Sequence, residues 1–180
     1  MRRVRTAGVA ALVSAAALAA VPQASAAGGE VVRSSDDVVV YDAALVPDGA
    51  TARVQAVYTG SGQTIVTLHV RGLVPNRAYG SHAHTNACGA TGLAAGPHYQ
   101  YVVDAVSPST NPAYANPDNE IWLDFHTNAA GNATLQTVVE WQPHDTRRPA
   151  SVILHIEHTH TGPTDSGVAG ARLACVNVPF

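Results

Sequence analysis

The 180-residue chain has 46% hydrophobic and 13% charged residues and a formal charge of −3, which gives enough apolar matter for one cored domain and argues against a nucleic-acid partner. All ten basic residues are arginine; three precede Ala26 and all thirteen acids follow it, so a chain cleaved there keeps 154 residues and carries −6. Beyond the start no stretch reaches the ~18 apolar residues of a membrane span, which excludes a stable anchor after cleavage.

The first segment reads as a secretory signal. Arg2, Arg3 and Arg5 precede an uncharged, alanine-rich run that ends in Ala24-Ser25-Ala26, a small-x-small cleavage pattern. Residues 1–26 are therefore predicted to be removed, and the mature protein is placed outside the cytoplasm. Residues 27–37, with Gly28-Gly29 and Ser34-Ser35-Asp36-Asp37, read as a flexible leader, and residues 38–180 as one β-rich domain.

Within that domain, short β-rich runs fall near 38–46, 51–59, 64–71, 78–84, 119–126, 132–141, 150–158 and 171–178. Val66, Leu68 and Val70 alternate with Thr67, His69 and Arg71, while Ile121, Leu123 and Phe125 alternate with Trp122, Asp124 and His126. This period of two marks half-buried strands, and no helix-period segment competes with it. Turn chemistry separates the runs, as at Thr59-Gly60-Ser61-Gly62 and Asn128-Ala129-Ala130-Gly131. The pattern predicts an all-β sandwich or barrel with one long loop, 86–118, rich in Gly, Pro, Asn and Ala. The two cysteines, Cys88 and Cys175, meet an oxidising compartment on export and are predicted to form a disulfide, the alternative being two buried thiols.

Chemistry concentrates in the histidines. His82 and His84 lie two apart at the end of a predicted strand, where both imidazoles share a face and can approach one ion. Imidazole suits copper, zinc, nickel and iron, so the pair alone does not select a metal. His98 follows in the glycine-rich loop, and His155 closes the apolar run Ser151-Val152-Ile153-Leu154. A second pair, His158 and His160, is read as lying at the rim, with capture of the ion by it left open. His69 and His126 read as surface residues, and His144 as a loop residue.

The order Gly80-Ser81-His82-Ala83-His84, Cys88, Ala95-Gly96-Pro97-His98-Tyr99, Leu154-His155 and Gly170-Ala171-Arg172-Leu173-Ala174-Cys175 resembles the copper/zinc superoxide dismutase family, in its bacterial exported branch. The resemblance implies an eight-stranded Greek-key β-barrel or sandwich with a long metal-site loop. It also implies copper ligands at His82, His84, His98 and His155, a Cys88–Cys175 disulfide, and catalytic roles for Arg172 and His98 in dismutating superoxide.

The chain departs from that family in two places. Zinc-containing members supply further histidines after the one matching His98, and residues 99–125 contain none. Asp104, Asp118, Glu120 and Asp124 remain as oxygen donors, but the expectation is copper without zinc, as in the family's copper-only members. The segment between His155 and Arg172 is short and has no lysine, which predicts weak electrostatic guidance of an anion. The rival reading is a non-catalytic extracytoplasmic protein that buffers or delivers copper with the same ligands; Arg172 argues for the enzyme.

Overall fold

Alternation of apolar and polar side chains builds the framework. In β3 (Thr51–Tyr58) and β4 (Thr64–Arg71), every second residue is buried, with Val54, Ala56, Val66, Leu68 and Val70 on the inner face. The computed structural model describes residues 29–34 and 37–180. Its other strands are β1 (Glu30–Arg33), β2 (Val38–Val40), β5 (Ala78–His84), β6 (Phe125–His126), β7 (Ala133–Val139), β8 (Ser151–His155) and β9 (Arg172–Asn177).

They form two antiparallel sheets, a four-stranded one in the order β1-β3-β4-β7 and a five-stranded one in the order β2-β9-β8-β5-β6. Their inner faces meet in one apolar core that includes Leu68, Tyr79, Ile121, Leu123, Val152, Leu154 and Val176. The all-β sandwich expected from the sequence is the observed architecture. No helix among the described residues is long and apolar enough to cross a membrane.

Three local expectations differ. The predicted signal segment lies outside the described residues, but the range read as a leader holds β1, which pairs with β3 from Glu30↔Tyr58 to Arg33↔Gln55. β-Branched Val31 and Val32, an Arg33 Nε–Gln55 Oε1 bond of 3.1 Å and the Ser34 hydroxyl accepting from Val54 N at 2.9 Å hold it there. This strand raises the count to nine among the described residues. The run 119–126 keeps its alternation, with Ile121 and Leu123 buried, but only Phe125–His126 forms a ladder; the rest joins by single bridges such as His82↔Trp122. The first predicted strand stops at Val40 because the Asp42 carboxylate accepts from Ala44 N at 2.9 Å and turns the chain.

The long loop after β5 contains a short 3-10 turn, Gly92–Ala95, and is fastened to β9 by the Cys88–Cys175 disulfide. A link across 87 residues stabilises by at most about 4–5 kcal/mol in the chain-entropy account.

Candidate metal centre

β5 is buried on both faces, so its outer side is no solvent surface but the wall of a second interior. Tyr79 and Ala83 enter the main core, and His82 and His84, both 0% exposed, take the opposite face. On neighbouring β8, Val152 and Leu154 join the core, which leaves His155 on the face of the two β5 histidines. His98 arrives from the loop, where Tyr99 N donates to Ala83 O at 2.9 Å and an isolated bridge sets it beside His84. One ring nitrogen from each of His82, His84, His98 and His155 lies within 4.8 Å of the other three.

The remaining nitrogens show which atoms converge. His84 Nδ1 is 2.9 Å from Gly96 O, His155 Nδ1 is 3.2 Å from Gly170 O, and His98 Nδ1 is 2.8 Å from Glu120 Oε2. Carbonyl and carboxylate oxygens accept, so each Nδ1 carries the hydrogen and each Nε2 keeps its lone pair. His155 Nε2 and His84 Nε2 then face one another at 3.5 Å. His82 is turned the other way: its Nε2 is hydrogen-bonded to the Thr159 hydroxyl, while its Nδ1 is buried with no hydrogen-bond partner among the described residues. An orphaned buried nitrogen is costly unless something meets it, and a lone pair beside three others is what a metal ion takes up.

Burial, with a further push from the neighbouring His98 ring, holds His82 and His84 well below the ordinary histidine value, and burial brings His155 down to about 3. These imidazoles are neutral near pH 7, the form that ligates metals.

In the sequence Glu120 is one of several spare oxygen donors; in the fold it is the carboxylate that meets His98. Only 1% exposed, it accepts from His98 Nδ1 at 2.8 Å, Trp122 Nε1 at 2.7 Å and Gln100 Nε2 at 2.8 Å. Three donors around one carboxylate fix the ring of His98 and fill the space beside its Nδ1. The only sequence signal for this role is the spacing of Glu120 and Trp122, two apart on one face of an extended segment.

Arg172 reaches the site through an irregularity. Leu154 pairs with Ala174, but His155 pairs with Arg172, so Leu173 is an extra residue in β9. This bulge reverses the faces that follow it: Leu173 turns into the core, and Arg172 turns to the side of His155. Its Nη1 donates to Gly92 O at 2.7 Å, and no carboxylate pairs with it among the described residues. Gly92 permits that approach, because a Cβ there would stand 2.6 Å from Arg172 Cβ. A cavity of about 360 Å³ opens onto His98, His155 and Arg172, with Arg147 and Asp104 farther along its wall.

The other histidines stay outside the cluster. His158 Nε2 donates to Phe125 O at 3.1 Å with its ring against His126, and His160 pairs with Asp165 and Glu157. His69 bonds Thr134, and His144 stacks on Tyr101.

Neither a protein-family model nor a curated protein sequence matches the chain. Solved structures do. A Cu/Zn superoxide dismutase from Brucella abortus is 21% identical, with 83% of this chain and 98% of that one covered at a TM-score of 0.56. The clock protein EA4 is 14% identical, with coverages of 86% and 95% and a TM-score of 0.53. A double mutant of a SOD-like protein from Bacillus subtilis is 16% identical, with coverages of 84% and 97% and a TM-score of 0.55. At these identities the likeness establishes the fold, which is that of Cu/Zn superoxide dismutase and SOD-like proteins.

Proposed function

We propose that this chain, built on the superoxide dismutase fold, binds copper through His82 Nδ1 and the Nε2 atoms of His84, His98 and His155, and dismutates superoxide outside the cytoplasm. The observation that carries the reading is the convergence of four imidazole nitrogens within 4.8 Å, on a cavity that Arg172 also lines. Four imidazole nitrogen donors suit copper in either oxidation state. Copper held there would supply one-electron redox chemistry, by which two superoxide anions and two protons would give oxygen and hydrogen peroxide.

The protein's own residues do the rest. Arg172, half-buried and without a carboxylate partner among the described residues, attracts the anion into a chain of net negative charge and holds it by the imidazoles. His98 has a side chain 17% exposed, so it is the cluster imidazole open to protons from the cavity, while Glu120 retains the hydrogen on Nδ1. Occupation of that Nδ1 side by Glu120, Trp122 and Gln100 supports copper without zinc. Export is supported by the disulfide and by the signal-like start.

A second reading, a copper carrier without catalysis, draws support from the range of differently named proteins on this fold. Arg172→Ala separates the two. For an enzyme it lowers the rate of superoxide decay roughly ten- to hundredfold with copper content unchanged. A copper-loaded wild type with no dismutation overturns the enzyme reading, and loss of copper from the variant makes Arg172 structural.

A further inference from the structure

The segment His158-Thr159-His160 carries a second His-x-His pattern, yet both of its histidines point away from the cluster. The residue between them points in. With His158 anchored on Phe125 O and His160 on Asp165, the Thr159 side chain between them is directed at His82, a residue 0% exposed.

The direction of each hydrogen bond follows from counting hydrogens. Asp124 accepts from Ser81 N at 3.0 Å, Thr159 N at 2.7 Å and Thr159 Oγ1 at 2.7 Å. The threonine hydroxyl has one hydrogen, and Asp124 takes it. The bond between Thr159 and His82 must therefore use a hydrogen on His82 Nε2, with the hydroxyl oxygen as acceptor. Asp124 does not hold the ring directly, since its Oδ1 stands 3.9 Å from His82 Nε2. The consequence appears on the far side of the ring, where Nδ1 is left as a bare, buried lone pair. Of the four cluster histidines, this is the one whose Nε2, not Nδ1, is held by the protein.

We propose that Thr159 is a positioning residue: its hydroxyl, oriented by Asp124, locks His82 in the Nε2–H tautomer and keeps Nδ1 as the donor turned toward the other three imidazoles. The metal part of this inference rests on the copper reading above; the tautomer part does not.

The test uses the mature protein as wild type, Thr159→Val and Thr159→Ser. In the metal-free proteins, nitrogen-15 NMR of the imidazoles reports the tautomer of His82 without any metal or substrate. Wild type and Thr159→Ser are expected to show Nε2–H alone; Thr159→Val, of the same shape but with no acceptor, is expected to show a mixture or Nδ1–H. Copper(II) affinity is expected to fall about ten- to hundredfold in Thr159→Val and to recover in Thr159→Ser. A wild-type His82 carrying its hydrogen on Nδ1, or a Thr159→Val variant that keeps Nε2–H alone, overturns the lock. Equal copper affinity in all three overturns its bearing on the metal. A wild type that binds no copper contradicts the proposed function and leaves the tautomer result standing.

Discussion

Replacement of Glu120 by glutamine, E120Q, changes one oxygen to an amide nitrogen inside a cradle that offers only donors. His98 Nδ1 and Trp122 Nε1 both point at Oε2, and Gln100 Nε2 points at Oε1. The least costly orientation puts the new amide nitrogen in the Oε1 place, opposite Gln100. Gln100 cannot turn its own amide to meet it, because its Oε1 already accepts from Asp104 N at 3.0 Å. One buried donor is then unmet, at ~1–3 kcal/mol, and two bonds lose the strength a charged acceptor gives, so the total is about 2–4 kcal/mol. For a domain of this size that lowers Tm by roughly 5–15 °C. Thermal unfolding of the metal-free protein by circular dichroism measures it, and copper affinity is expected to drop about tenfold or more as His98 loosens. A Tm within about 1 °C of wild type would refute the idea that Glu120 organises the site.

Acid acts on the same cluster. His82 and His84 sit well below 6.5 in the folded state and His155 at about 3, so the unfolded chain binds more protons below pH 6.5, and stability falls as pH drops from there. Three such groups give a slope approaching ~4 kcal/mol per pH unit, so the metal-free protein is expected to unfold by about pH 4–5; a Tm unchanged between about pH 7 and 4 contradicts this. Asp104 on the cavity wall is kept ionised by the Ser109 hydroxyl, and its charge opposes an entering anion. Asp104→Asn is expected to speed superoxide decay about two- to fourfold at low salt, and no change would show that guidance is insensitive to the wall. The ring of Trp122 lies 5.8 Å from that of His82. With Trp141→Phe leaving it as the one tryptophan, one equivalent of copper(II) is expected to quench its fluorescence; undiminished emission with copper bound places the ion elsewhere.

Much of the site could be read from sequence where local geometry carries it. His82 and His84 share a face because strand side chains alternate, and the same rule puts Val152 and Leu154 in the core and His155 on the other face. Alternation also placed Ile121, Leu123 and Phe125 inside, although most of that run lacks a regular ladder. What escaped depends on chain segments that meet only in three dimensions. The extra residue Leu173 that turns Arg172 toward His155 has no signature in a run of ordinary strand residues. Glu120 and Asp124 looked alike as spare carboxylates, yet one meets His98 directly and the other reaches His82 through Thr159. The composition of residues 27–37, small and polar overall, points to a mobile leader, but two valines and a sheet edge suffice to make Glu30–Arg33 a strand.

The most direct test of the account is decay of pulse-generated superoxide over the mature protein loaded with copper alone, with bound copper and zinc counted on the same sample. One copper per chain, no retained zinc, and a decay rate that rises in proportion to copper-loaded protein are expected. One bound copper with decay no faster than in buffer would contradict it and leave a copper carrier on this fold.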